Sequence, residues 1–271
     1  MMKPSGRITI WAVLLFIGIS HPESLFSQWY GDVAYRYGLN QQVASPQEMA
    51  QPVLENALSK PYTLGGYALS AGYRFRPDSM ITSLKSGISY WNSRSGTMLY
   101  TPKSINAAHT WLKHEIITFD VGVAFEFSIR KMAASTGLTL LLPLYTNGAE
   151  FRNTEANTAQ VSDIRYRTGP GISIHQDVEL WSEAGSSLFA GMSAGWIQAR
   201  RKSRVLTSPD ASLPLYKQEL RYLTEKEIQK KGSINDPSLS GFDGSMPAET
   251  QTYNEPLSFI AFKLGLLFTI Q

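Results

Sequence analysis

Eight segments of the chain alternate apolar and polar side chains, and the connections between them are alternately short and long. The clearest segment runs from Ile117 to Ile129. Its odd positions, Ile117, Phe119, Val121, Val123, Phe125, Phe127 and Ile129, are all large and apolar. Its even positions, Thr118, Asp120, Gly122, Ala124, Glu126 and Ser128, are polar or small. A strand sends successive side chains to opposite faces, so this period of two predicts a strand with one greasy face.

Seven further segments read the same way. They are about 29–40, 64–76, 81–91, 136–145, 163–176, 187–199 and 257–270. In the first, Trp29, Val33, Tyr35, Tyr37 and Leu39 oppose Asp32, Ala34, Arg36 and Gly38. In the sixth, Ile164, Tyr166, Ile172 and Ile174 oppose Arg165, Arg167, Gly169, Gly171 and Ser173. Long polar connections are expected at roughly 41–62, 93–114, 146–162 and 200–256, with short turns between. Pro143 and Pro170 fall inside predicted strands. Proline cannot donate to a ladder and a closed barrel has no free edge, so bulges are expected there.

Alternation fits both a soluble barrel, apolar inside, and a membrane barrel, which is inverted. The polar face decides between them. It carries Ala34, Gly38, Ala68, Ser70, Gly72, Gly87, Ser89, Gly122, Gly171, Ser173, Gly191, Ser193, Gly195 and Gly265 rather than long charged chains. Small residues suit the lumen of an eight-stranded barrel, which is only just wide enough for side chains to fill. The apolar face is bulky, with Trp29, Tyr30, Tyr67, Tyr90, Tyr145, Trp196 and Phe268 near strand ends, where interfacial girdles sit. The expected fold is therefore all-β: an eight-stranded antiparallel transmembrane β-barrel with short periplasmic turns and long extracellular loops.

The N-terminus agrees. Lys3 and Arg7 precede a short apolar run, Ile8 to Ile19, with small residues at Ser20 and Ser27. This reads as a secretory signal peptide, 1–27, since a spanning helix needs about 20 apolar residues. Cleavage falls after Ser20 or Ser27; the latter is favoured and leaves Gln28 first. The barrel domain is then 28–271, and its expected place is the bacterial outer membrane. The chain has no cysteine, which excludes disulfides and thiolate metal sites. A net charge of +3, with no block of like charge, gives no electrostatic case for nucleic acid.

Signal peptide, Ser27-Gln28 start, eight strands and the closing Phe262-Lys263-Leu264-Gly265-Leu266-Leu267-Phe268-Thr269-Ile270-Gln271 resemble small outer-membrane β-barrel proteins of the OmpA/OmpX-like, PorT-like kind found in Bacteroidetes. The resemblance covers most of the mature chain and rests on architecture. It implies a structural, adhesive or complex-accessory role in secretion or uptake. A narrow porin is the second reading and a lipid-modifying enzyme the third.

Candidate chemistry is sparse. The inward-facing charges are expected to be Asp32, Arg36, Arg74, Lys85, Asp120, Glu126, Arg165, Arg167 and Lys263, forming an ion-pair network that plugs the lumen. His109, His114 and His175 show no nucleophile spacing, and no Gly-x-Ser-x-Gly elbow occurs, so no enzymatic activity is expected. No cofactor or metal is expected; Asp210, Asp236 and Asp243 lack a calcium-loop spacing. Outer-membrane lipid is the expected surrounding. Two readings fit the last outer loop: a solvated helix packing on the barrel rim, or a recognition surface for a partner from the envelope. There Leu215 to Lys231 reads as one short charged helix with Tyr216, Leu220 and Leu223 on a stripe, and 233–248 as mobile.

Overall fold

A computed structural model of the chain describes residues 28–41, 58–59, 62–75, 81–99, 108–129, 132–153, 159–183, 185–208, 212–252, 254 and 256–270. The proposed signal peptide lies outside the described residues. The strands are β1 (Gln28–Gln41), β2 (Leu58–Ser59), β3 (Tyr62–Phe75), β4 (Ile81–Leu99), β5 (Ala108–Ile129), β6 (Met132–Asn153), β7 (Ala159–Glu183), β8 (Ser186–Leu206), β9 (Glu219–Leu223), β10 (Ala248–Gln251) and β11 (Leu257–Ile270). Eight of them close a ring, in the order β1, β3, β4, β5, β6, β7, β8, β11 and back to β1, with every pairing antiparallel. The chain is an eight-stranded transmembrane β-barrel.

The ring is inverted relative to a soluble barrel. Tyr67, Leu69, Ile174 and Phe262 point outward and are 62, 64, 61 and 63% exposed. Their inward neighbours Ala68, Ser70, Ser173, His175, Ala261 and Lys263 are buried. So continuous a belt of exposed apolar side chains is stable only against lipid. No helix among the described residues is long and apolar enough to cross a membrane.

The strands β4 to β8 are longer than the alternation predicted. They run 19 to 25 residues, continue through much of the expected loops at 93–114 and 146–162, and take up the first residues, 200–206, of the one expected at 200–256. The period is lost there because the wall above the membrane meets water on its outer face, so neither face need be uniformly apolar. At the opposite end the turns are tight. Gly185 takes a φ of 82° between β7 and β8, and its carbonyl accepts from the Thr269 amide at 2.7 Å.

Both prolines mark irregular pairing. On β6 the register against β5 slips so that Ile117 faces Tyr145 while Thr118 faces Pro143. On β7 the register against β8 slips between Thr168 and Gly171, and again between Arg165 and Tyr166. Each extra residue reverses which face a side chain occupies. Below Pro143 the inward residue is Leu141; above it the inward residues are Gly148 and Glu150. Below Pro170 the inward residues are Gly171, Ser173 and His175; above it they are Tyr166 and Ile164, the latter fully buried.

The lumen is not lined by small residues alone. Its outer half holds an apolar plug of Leu64, Trp91, Ile116, Leu141, Ile197, Leu257 and Phe259, with the Trp91 and Phe259 rings 4.7 Å apart.

Candidate functional site

Beneath the apolar plug the lumen is ionic. Lys85 meets Asp32 at 2.5 Å, Lys263 meets Asp177 at 2.5 Å, Arg74 meets Glu126 at 2.8 Å and Arg36 meets Asp120 at 3.9 Å. Asp120 also accepts hydrogen bonds from the hydroxyls of Ser89 and Thr118. These pairs join strands that are not neighbours, and small side chains on the strand between make room. Gly191 on β8 is the register partner of both Lys263 and Asp177. The cations also sit on rings: Arg36 lies 4.7 Å from the Trp91 centroid and Lys263 lies 5.1 Å from that of Phe189. A small cavity among Arg36, Ser89, Asp120, Thr139, His175 and Lys263 is what remains of the bore.

Seven of the nine charges expected inside are thus brought together: Asp32, Arg36, Arg74, Lys85, Asp120, Glu126 and Lys263. Arg165 and Arg167 are corrected. Both face outward, because the bulge at Pro170 reverses the parity of β7 above it. The sequence reading missed Asp177. It ended the sixth strand at Gln176, whereas β7 runs on to Glu183 with Asp177 next in the lumen set.

His114 and His175 both face the lumen. His114 is buried in the outer mouth between Ser93 and Tyr166, with Nδ1 3.4 Å from the Ser93 hydroxyl and Nε2 2.7 Å from the Tyr166 hydroxyl. Ser93 and His114 are both almost fully covered. His175 faces the ionic lumen beside Thr139, at 3.5 Å. His109 lies on β5 opposite Met98. No group of three metal-binding side chains occurs among the described residues. Asp236 and Asp243 cap local turns through Ser238 and Ser245, and Asp210 lies outside the described residues.

The other built region is the last outer loop, and it departs from the expected single helix. Leu215–Gln218 is a short helix, α1; Glu219–Leu223 is β9; Glu225–Lys231 is a second helix, α2. Tyr216, Leu220 and Leu223 therefore sit on two different elements and do not form a stripe. β9 pairs antiparallel with the upper part of β8, and β10 pairs parallel with β9 after crossing over through α2. Parallel neighbours need such a crossover. The loop is thus a β-α-β unit that continues the barrel wall.

Its helix is fastened at both ends. At the start, Thr224 and Glu227 form a capping box: the Glu227 amide donates to the Thr224 hydroxyl and the Thr224 amide donates to the Glu227 carboxylate. The same carboxylate accepts two hydrogen bonds from Arg167 on the barrel wall, at 3.0 and 2.7 Å. Arg167 first, then Thr224, hold the Glu227 carboxyl at about 2. At the far end Gly232 adopts the left-handed conformation that ends the helix, and Lys231 pairs with Glu249 on β10. Burial pushes the Glu249 carboxyl up, but Lys231 and the Asn235 amide outweigh it and leave it below the ordinary range.

The segment 233–248, expected to be mobile, is ordered by one side chain. Asn235 is buried, and its amide nitrogen donates to the carbonyls of Asp243 and Pro247, both at 2.9 Å. Its side-chain oxygen accepts from the Asp243 amide at 2.8 Å. Its backbone exchanges bonds with Glu249 at 2.8 and 3.0 Å. Composition alone hides this, because a polar loop can supply its own internal partners.

Fold and lumen together define an outer-membrane type of β-barrel, with a closed bore and a folded module on its outer rim. No protein-family model matches the chain, and no curated protein matches it. Among solved structures it is similar to the outer membrane protease OmpT from Escherichia coli, at 8% identity and a TM-score of 0.41, over 92% of this chain and 99% of that one. The expectation that the chain is not an enzyme is corrected by this neighbour.

Proposed function

We propose that the protein is an outer-membrane barrel that serves as a mount for the extracellular module of residues 212–252, and that this module is a recognition surface for another component of the envelope. The observation that carries this reading is the construction of the module. It is fixed to the wall by β9 and by Arg167–Glu227 and braced within itself by Lys231–Glu249, while Leu215, Leu239 and Met246 stay exposed at 40, 49 and 43%. A loop that only closes the mouth has no need of an internally satisfied β-α-β unit standing beside it. The resemblance to PorT-like barrels supports a place in a secretion or uptake assembly. The plugged lumen favours this reading over a narrow porin.

The test is removal of 213–252 with a short Gly-Ser link from 212 to 253. The shortened barrel is expected to keep its folded mobility on gels and to lose envelope proteins that co-purify with the intact chain after cross-linking. Retention of the same partners by the shortened barrel would refute the assignment.

A further inference from the structure

The outer wall of β7 and β8 carries four cations just beyond the apolar belt. On β7 the outward series ends in Ile174 and Ile172 and, past the bulge, resumes with Arg167 and Arg165. On β8 it ends in Met192 and Trp196 and, past Gln198, resumes with Arg200 and Lys202. Arg167 and Arg200 are direct register partners, and Arg165 pairs with Ser203, next to Lys202. Four residues of a tilted strand separate Trp196 from Arg200, a rise of roughly 10 Å. A headgroup layer is about 5–8 Å deep, so the cations stand at its outer margin, within reach for long side chains leaning back toward the belt.

Two of the four are engaged. Arg167 holds Glu227, and Arg200 donates to the Asn254 side chain at 2.5 Å. Arg165 and Lys202 are exposed and make no ion pair among the described residues. Charges nearby are Asp163, which accepts from Thr207 further from the membrane, Glu115, which is held by Lys113 on β5, and Arg221 and Glu219 on β9, which pair with each other at 2.7 Å opposite Ser203 and Val205. Two free cations therefore sit side by side, directly above a surface made for acyl chains.

We propose that Arg165 and Lys202, supported by Arg200, form a binding site for the phosphate-bearing headgroup of an outer-leaflet lipid whose acyl chains lie on Ile172, Ile174 and Trp196. An arginine offers a planar fork that matches phosphate oxygens, and the lysine adds a mobile point charge. The apolar belt supplies the lipid part of the affinity, which a free anion lacks. This site borders the module, since Ser203 beside Lys202 is the register partner of Arg221 on β9, but neither Arg165 nor Lys202 forms an ion pair with the module among the described residues.

The experiment titrates the folded full barrel, in neutral detergent micelles, with lipid A, with phosphatidylethanolamine and with inorganic phosphate, and reads bound lipid by native mass spectrometry. Lipid A is expected to bind in preference to the zwitterionic lipid, and R165Q/K202Q is expected to weaken it about tenfold or more. K226Q/K230Q, which removes equal charge from α2, is expected to retain the preference. Millimolar phosphate is expected not to displace the lipid. Equal binding by R165Q/K202Q and the native chain overturns the site, as does equal loss in K226Q/K230Q. Displacement by phosphate alone would assign the site to a free anion and overturn the lipid assignment. Should the double variant fail to fold, the native barrel still decides: preference for lipid A that survives a rise to about 0.5 M salt excludes an exposed ionic site.

Discussion

Lys263 on β11 and Asp177 on β7 meet across a strand to which both are register partners, and the residue between them is Gly191. A methyl group on Gly191 would collide with the Asp177 carboxylate and with the Gln176 carbonyl. The pair and the glycine are one device, in which absence of a side chain on β8 lets its two neighbours close the bore. Gly191→Ala is therefore expected to destabilise the barrel by about 1–3 kcal/mol. Urea unfolding in micelles, followed by tryptophan fluorescence, measures it; an unchanged midpoint would show that the strand yields instead.

The same pair separates the cost of burying charge from the cost of leaving it alone. Asp177→Ala strands the Lys263 ammonium, which is nearly inaccessible, and is expected to cost about 3–5 kcal/mol. Replacing both, with Asp177→Leu and Lys263→Met, is expected to cost far less, because no charge remains uncompensated. The two unfolding curves should therefore rank single below double in stability.

The bore is blocked twice, by ion pairs and by the Trp91–Phe259 layer. Planar bilayers holding the native barrel are expected to show no large, stable openings. Trp91→Ala with Phe259→Ala should admit water to the outer half yet leave conductance low, since the ionic layer is untouched. Large steady currents from the native protein would contradict the closed lumen.

The hold of α2 on the wall is acid-sensitive, with a definite direction. Arg167 keeps the Glu227 carboxyl at about 2, against an ordinary 4.5. A lowered value means the stabilising contribution is complete above about pH 4.5 and is lost as the pH falls toward 2. Glu249, also lowered, acts in the same direction. Glu227→Gln should reproduce the acid effect at neutral pH, making 213–252 more open to protease while the barrel stays folded. The carboxylate is well exposed, so the effect on overall stability should be small.

Asn235→Ala removes three side-chain hydrogen bonds at once, leaving buried carbonyls and an amide without partners. Hydrogen exchange across 233–248 is expected to rise sharply, with that of β1 and β3 unchanged. No change in the loop would show that the backbone holds itself.

The ring was legible in the sequence because lipid enforces a strict period on every residue it touches. Strand positions in the belt, such as Ile117 to Ile129 and Leu257 to Ile270, follow that period closely. Above the belt that enforcement lapses. β4 to β8 continue there without clean alternation, so their extent was underestimated and Asp177, on the opposite flank of β7, was cut off by the same conservative boundary. The prolines announce irregularities, but the outward turn of Arg165 and Arg167 depends on how the register slips at Pro170, which alternation alone does not specify. The β-α-β module was hidden for another reason. Asn235 stabilises it through one side chain, and no periodic pattern announces a single buried amide.

The slips at Pro143 and Pro170 also have a consequence for how such a chain evolves. One inserted or lost amino acid near either point would exchange the interior and exterior populations of everything beyond it, at no change in composition. Glu150 would then trade its place inside for one outside, and Arg165 the reverse. A mutation of length, rather than of chemistry, is the shortest route by which this wall gains or loses a charged exterior.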